Sequence, residues 1–477
     1  MDKNYLIVDL GTGNTRVGLV SSNGEILCIK SFENNYYRDY EYEDAQYFLP
    51  TEWSKQILNY IKEIINEFPG KKISAITSVG ARQSIVLYNK LGEAFYGLPN
   101  IDNRGEAWIK DVGNSVDVYK KSGRWLTSDF PAAKLLGLKK KHIEIYNEIF
   151  KFTSLSEWIG EIFTGKICIE PSQACETQLF DIDKLDWSLV LCEYFGVDKS
   201  ILPDIKSAGE NLGKISLKMC KELGIDEDCV FIVGGADTQV AVKGINIKEG
   251  EMAIVSGTTS PVVAISKDRI YDKGERCWID SNLKGENYQI ETNPGVTGLN
   301  YQRLKNLFCK DVSYEEIDKE LFKKDNYKCI SILSTLFFDE AKSVKTGGFI
   351  MRPPFDEHID RYDFMWSVAS DIACSIYLQY CNLNNLIANS NDHILGCGGG
   401  LQSNFISQMI SDLTQKKLYI RSGSSQASLN GGIKICNEYF KINTSDIDKG
   451  CIIYYPSENN LIKKYYSQWF ETRKNIN

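Results

Sequence analysis

Hydrophobic positions along this chain switch between a strand period and a helix period in a recurring order. From Tyr5 to Val20, YLIVDLGTGNTRVGLV, two apolar runs with β-branched residues flank a Gly/Thr segment, which predicts two strands joined by a tight loop. Asn23-Gly24, between Val20 and Ile26, is a turn signal that adds a third strand and makes a meander. The period then lengthens: Trp53, Ile57, Leu58, Ile61, Ile64, Ile65 and Phe68 fall near a 3.6 repeat, predicting a helix with Thr51 as N-cap and Pro69-Gly70 as the stop. KISAITSVG and SIVLYN return to the strand pattern. About half a chain later, EMAIVSGTTSPVVAIS repeats the hairpin, with Gly257, Thr258 and Thr259 between two apolar runs. The pattern predicts an α/β chain of two similar lobes, 1–244 and 245–477, joined through Gly244 to Gly250 without a low-complexity or Pro-rich tether. A cleft between the lobes is then the expected ligand site.

The first hairpin carries a lone carboxylate, Asp9, at the end of its first strand. Gly11 and Gly13 allow main-chain N–H groups close to an anion, Thr12 and Thr15 add hydroxyls, and Asp9 can hold a metal or its water shell. Taken alone, the motif is also compatible with an ordinary hairpin and a buried Asp. A dinucleotide fingerprint needs a helix and a third Gly where Arg16 stands, and no GxxxxGK[ST] occurs, so neither a Rossmann nor a P-loop reading holds. In IVGGADTQVAV, residues 232–242, an apolar strand is expected to run into a Gly234-Gly235 turn that projects Asp237 into the cleft. There Asp237 can accept a proton from a substrate hydroxyl, or it can simply cap the following helix. Later, Gly398-Gly399-Gly400 precede a helix with Phe405, Ile406, Met409, Ile410 and Leu413 on one face. These glycines admit a flat ring or phosphate, or make a packing turn. A second helix is expected from about Ser425, opening on small residues.

Composition narrows the chemistry. The chain has 477 residues, 43% hydrophobic and 25% charged, which suits a globular protein of two or more domains. Its 55 basic and 63 acidic residues leave a net charge of -8, and the one short basic run, Lys139 to Lys141, reads as a solvated face. Nucleic acid is therefore not an expected partner. The amino terminus enters a strand by Tyr5 and no apolar run nears the length of a membrane span, so no membrane association and a cytoplasmic location are expected. Fourteen cysteines show no CxxC pair or Cys/His cluster, and only three histidines occur, which points to reduced buried thiols and to carboxylate catalysis.

Taken in order, DLGTGNTR, TGKICIEPSQACETQLFDI, GGADTQ, SGTTS and GCGGGLQSN with SSQASLNGG resemble the FGGY carbohydrate kinase family, within the larger actin, Hsp70 and sugar kinase superfamily. The resemblance covers nearly the whole chain. It implies two RNase H-like (actin-like ATPase) domains with an interlobe cleft, binding ATP and Mg2+. It implies Asp237 as general base and Asp9 as ligand of Mg2+ or its waters. Thr12, Gly13, Asn14, Thr15, Gly257 and Thr258 are implied as phosphate contacts, and Gly399, Gly400 and Asn404 as neighbours of adenine and ribose. Arg82 and Gln83, in GARQSIVLYN, resemble the pair that binds substrate hydroxyls in glycerol kinases, and Asp102, in NIDNR, resembles a common hydroxyl acceptor.

The chain departs from the family at several points: Gln83 where many members have Glu, Tyr301 where many have Trp, Gln426 before Ala-Ser, and the segment 342–362. RQSIVLYN and GADTQ are similar to the autoinducer-2 kinases. The resemblance therefore implies ATP-dependent phosphorylation of a hydroxyl on a small keto-sugar or polyol of about five carbons, since buried charged and amide groups can pair with hydroxyls as both donors and acceptors. Xylulokinase, ribulokinase and glycerol kinase-type substrates are the alternatives, and a non-catalytic ATP- or sugar-binding regulatory protein is the alternative of another class. Dimers are common in the family, so a homodimer is compatible with the resemblance.

Overall fold

The computed structural model describes residues 3–42, 45–334, 336–337, 342–344, 346–387, 391–421, 423, 426–443 and 450–476. Among these, the chain forms two compact units. Unit 1 is drawn from 1–244, 279–288 and 428–447, and unit 2 from 245–278, 289–427 and 448–477.

Unit 1 is built on a six-stranded sheet in the order Asn211–Lys214, Val230–Ala236, Ile73–Gly80, Asn4–Leu10, Asn14–Ser21, Ile26–Glu33. The last three form the expected antiparallel meander, with Asp9 opposite Arg16 and Leu10 opposite Thr15. Asn4–Leu10 then pairs in parallel with Ile73–Gly80, which pairs in parallel with Val230–Ala236. The first strand is buried at every position because its alternate side chains enter two different cores. Leu6, Val8 and Leu10 face Trp53, Ile57, Ile61 and Ile64 of the helix Pro50–Glu67, whereas Tyr5 and Ile7 belong with Val240, Leu429, Ile433 and Cys436. The second core thus joins the first strand of the chain to residues late in the sequence, and Tyr5 donates its hydroxyl to Asn437 Oδ1 at 2.8 Å.

Unit 2 repeats the logic. Met252–Val255 and Val262–Ser266 form the second hairpin, and Met252–Val255 pairs in parallel with His393–Cys397, followed by Lys417–Arg421 in parallel and Cys451–Tyr454 antiparallel. The helix Arg361–Leu386 is capped by Asp360, which accepts from the Tyr362 and Asp363 amides. No helix among the described residues is long and apolar enough to cross a membrane, and the cysteines are free thiols, most of them buried.

Two local expectations change. The helix Pro50–Glu67 begins one residue after Leu49 with no side-chain cap, because Pro50 occupies the first turn, where a missing N–H costs nothing, and Thr51 lies inside. Gly234 and Gly235 lie within the strand Val230–Ala236 rather than in a turn, and the helix Asp237–Gly244 follows directly. At Gly234 the reason is close approach: a Cβ would lie 1.7 Å from the Ser78 carbonyl oxygen of the neighbouring strand. The expected start of the late helix at Ser425 lies outside the described residues; the helix spans Ala427–Tyr439. Part of the divergent segment 342–362 also lies outside them, and its Gly348–Met351 pairs antiparallel with Cys329–Ile332.

Gly234→Ala should therefore force the two central strands apart and cost about 1–3 kcal/mol or more, seen as a lower denaturant midpoint in equilibrium unfolding; an unchanged midpoint would contradict the packing described.

Candidate active site

In unit 1 the carboxylate of Asp237 stands at the junction of strand Val230–Ala236 and helix Asp237–Gly244. Its Oδ1 accepts from the Thr238 amide at 2.6 Å, so it does serve the helix end, yet 40% of the side chain stays open. Desolvation by the surrounding protein, with the nearby Asp9 carboxylate, pushes its pKa up to about 6 against the pull of Arg82, whose Nε lies 3.9 Å from Oδ1. A carboxylate poised near neutrality is suited to taking a proton from an alcohol.

Arg82 opens a chain of alternating charge. Its Nη1 donates to Glu176 Oε1 at 3.3 Å, and the same oxygen accepts from Arg124 Nη2 at 2.8 Å. Arg124, wholly buried, also donates to Asp280 Oδ1, and Asp280 Oδ2 accepts from Gln239 Nε2 at 3.0 Å. Gln239 lies two residues beyond Asp237 on the same helix, so the network closes on itself as a ring. Its two inner carboxylates behave oppositely. Burial would raise Glu176, but Arg124 and Arg82 together outweigh it and hold the acid low, whereas burial dominates at Asp280 and raises it.

Gln83 adopts a left-handed backbone, φ 63°, and its carbonyl accepts from Lys134 Nζ at 2.8 Å. The same amine donates to the Pro99 carbonyl at 2.7 Å, tying the two loops together. Burial lowers the Lys134 pKa to about 8. Asp102 has a different setting from Arg82: fully buried, it accepts from Arg104 Nε at 2.8 Å and from the Gln46 amide at 3.1 Å. Arg104 in turn reaches Asp39 and the Gln46 carbonyl, so this pair braces a neighbouring loop.

The first hairpin is open at its tip. Gly13 and Asn14 are exposed, and a Cβ at Gly13 would meet nothing within 4 Å. The Thr12 hydroxyl accepts from Asn100 Nδ2 at 2.8 Å. Thr15 is buried with its hydroxyl on Asn34 Oδ1 at 2.8 Å, so it holds the loop from beneath. Asp9, 4% exposed, accepts from Arg16 and from Ser428 Oγ, the latter at 2.6 Å.

In unit 2 a cavity of about 550 Å³ is lined by Gly257, Thr258, Gly399, Gly400 and Asn404, and also by Tyr301, Tyr314 and Asp318. Gly257 and Gly399 have open space where a Cβ would be, whereas Gly398 and Gly400 are forced by contact with Ser256. Asp318 Oδ2 accepts from the Asn404 amide at 2.7 Å, and Asn404 Oδ1 accepts from the Tyr454 hydroxyl at 2.6 Å.

Residues 4–244 match the FGGY family of carbohydrate kinases, N-terminal domain. The chain belongs to that family. It is 36% identical over 474 residues to the Bacillus subtilis protein named "Putative sugar kinase YoaC", covering 99% of this chain and 97% of that one. It is 24% identical over 444 residues to the autoinducer-2 kinase of Photorhabdus laumondii, covering 86% and 82%. The gluconate kinase structure from Lactobacillus acidophilus superposes with a TM-score of 0.85 at 20% identity, covering 100% of this chain and 98% of that one. This likeness fits the actin-like ATPase fold of FGGY sugar kinases. As an FGGY kinase the protein is a phosphotransferase acting on a sugar hydroxyl.

The donor set suits a nucleotide and a hard cation. Glycines without a packing reason line the unit 2 cavity, where a Cβ would occupy ligand space. Mg2+ takes one or two carboxylates and completes its shell with phosphate and water, and Asp9, at the end of the first strand, is a carboxylate of that kind. In this FGGY kinase, the sequence pattern pointed to Asp237 and both hairpins, and the family resemblance to Arg82, but neither pointed to Arg124 or Asp280. Glu176 lay in a quoted motif without a role. Arg124 and Asp280 carry no local signal, since each is meaningful only beside its partner.

Arg124→Met should leave Glu176 and Asp280 buried around an apolar side chain and cost about 3–5 kcal/mol in equilibrium unfolding at neutral pH. A loss below about 1 kcal/mol would show that the ring does not hold unit 1 together.

Proposed function

We propose that this FGGY kinase transfers the γ-phosphoryl group of ATP to a hydroxyl of a small keto-sugar or polyol of about five carbons, of the autoinducer-2 or pentulose class. The observation that carries the reading is Asp237: an open carboxylate with a raised pKa, held against Arg82 at the head of a helix. As the acceptor oxygen bonds to the γ-phosphorus and the bond to the ADP oxygen breaks, Asp237 takes the hydroxyl proton. Arg82 stabilises the ionised form of Asp237 before the transfer and, with Gln83, binds acceptor hydroxyls. Main-chain N–H groups at Gly13 and Asn14, and at Gly257 and Thr258, offer donors to phosphate oxygens. Gly399, Gly400 and Asn404 border the nucleoside in the unit 2 cavity, with the stacked Tyr301 and Tyr314 supplying an apolar wall. Asp9 would hold Mg2+ or its waters, and that ion supplies charge neutralisation on the phosphates. The substrate class is supported by the likeness to autoinducer-2 kinase over most of the chain and by the ring of hydroxyl-pairing groups beside Asp237.

ADP release from MgATP across pentuloses, polyols, hexuloses and autoinducer-2 tests the reading: at least one acceptor should stimulate it, and Asp237→Asn should lower that rate by about 10^2 to 10^4. Full turnover in the variant would remove Asp237 from its role, and nucleotide binding without acceptor-stimulated ADP release would favour a binding protein. Because a protonated Asp237 cannot serve as base, kcat/KM should hold above and fall below a pKa of about 6, roughly tenfold per pH unit. An acid limb set near pH 4 would show the carboxylate unperturbed.

Gly257→Ala separates binding from folding. With nothing near the new Cβ, stability should stay within about 0.5 kcal/mol. MgADP affinity by calorimetry should weaken about tenfold or more. Unchanged affinity would exclude Gly257 from the phosphate site.

A further inference from the structure

Behind the strand ends that present Arg82 and Asp237, unit 1 holds a second pair of acids, Glu157 and Glu170. Both are buried, and among the described residues neither has a lysine, arginine or histidine partner. Glu170 caps the short helix Pro171–Cys175: its Oε2 accepts from the Ser172 amide at 2.8 Å and from the Ser172 hydroxyl. Glu157 Oε2 accepts from the Ser154 hydroxyl. The other oxygen of each acid, Oε1, is buried with no hydrogen-bond partner. Burial, with the charge of the neighbouring Glu157, pushes the Glu170 pKa well up, and burial raises Glu157 too. Two neighbouring carboxylates in a dry site without a cation cannot both ionise, and two oxygens that only accept cannot satisfy each other. One proton resolves both problems. Placed on Glu170 Oε1 it makes a donor, for which Glu157 Oε1 is the acceptor.

The cluster is tied to both strand ends. Ser172 Oγ, while donating to Glu170, accepts from the Ala236 amide at 3.1 Å, one residue before Asp237. Glu170 Oε2 also lies 3.0 Å from where a Cβ on Gly235 would be, so the acid packs against the same strand. On the neighbouring strand, Gln173 Nε2 donates to the Gly80 carbonyl at 3.0 Å, two residues before Arg82, and to Ser156 Oγ at 3.1 Å. Resting on the reading of Asp237 as base, we propose that Glu157 and Glu170 share one proton, and that Glu170, as a neutral acid, is a positioning residue that fixes the Asp237 carboxylate through Ser172. A neutral acid holds the strand end without placing another negative charge behind the base.

Infrared spectroscopy of the full-length protein at about pH 9, where Asp237 and Asp280 are ionised, reads the proton without turnover. The difference between wild type and Glu170→Gln should contain a protonated-carboxyl band; a difference without one would overturn the inference. In acceptor-stimulated ADP release, Glu170→Gln should keep kcat within about twofold, because an amide both accepts from Ser172 and donates to Glu157. Glu170→Ala should lower kcat about 10- to 100-fold, the scale of a misplaced reacting group, with KM for MgATP within about twofold. Equal losses in the two variants would count against a neutral acid, and an unchanged kcat in Glu170→Ala against a positioning role. Full turnover in Asp237→Asn would instead defeat the base reading, and the infrared difference would still decide whether the proton is there. Should Glu170→Ala fail to fold, the Gln variant and the spectrum carry the test.

Discussion

A guanidinium with no solvent around it must be surrounded by anions, and Arg124 meets that demand inside unit 1. Glu176 and Asp280 lie 52 and 156 positions away in sequence, yet both must reach the same nitrogen. Each brings another group with it. Glu176 carries Arg82 to its second interaction, and Asp280 carries Gln239. Since Gln239 and Asp237 share a helix and Arg82 faces Asp237, the position of the Asp237 carboxylate is set from two directions by one buried cation. The opposite behaviour of the two inner acids follows from the same geometry: Glu176 forms ion pairs with both guanidiniums, whereas Asp280 pairs with Arg124 alone and also feels the Glu176 carboxylate.

This ring rests on a backbone frame in which alternating residues of the first strand fill two cores. The strand cannot slip by one residue without exchanging Leu6, Val8 and Leu10 for Tyr5, Ile7 and Asp9, so the hairpin that follows is presented in one register. Glycines then divide into two kinds. Gly234, Gly398 and Gly400 are required by neighbouring atoms, whereas Gly13, Gly257 and Gly399 have room for a side chain that is absent. Packing explains the first kind and leaves the second unexplained. Both hairpins carry the second kind at their tips, in units built from different stretches of chain.

Periodicity made the elements legible. The meander, the helix ending before Pro69 and the second hairpin occur where the apolar pattern puts them, because each depends on side chains near in sequence. The place of Asp237 at the end of a strand was legible for the same reason: it follows an apolar run and two glycines. Pairing was not. Asp102, read as a hydroxyl acceptor by resemblance, has both oxygens engaged by Arg104 and the Gln46 amide, and Thr15 turns inward to Asn34. Thr51 missed the cap because Pro50, one position earlier, could begin the helix.

By itself, then, the sequence determined the α/β alternation, the duplicated hairpins and the family, since these depend on residue type, spacing and order along the chain. Tertiary structure alone decided which charges are neighbours, that residues 279–288 and 428–443 complete unit 1, and that Arg124 and Asp280 stand behind Asp237. The physical reason is that a buried charge is defined by what surrounds it, and those surroundings come from segments that only folding brings together.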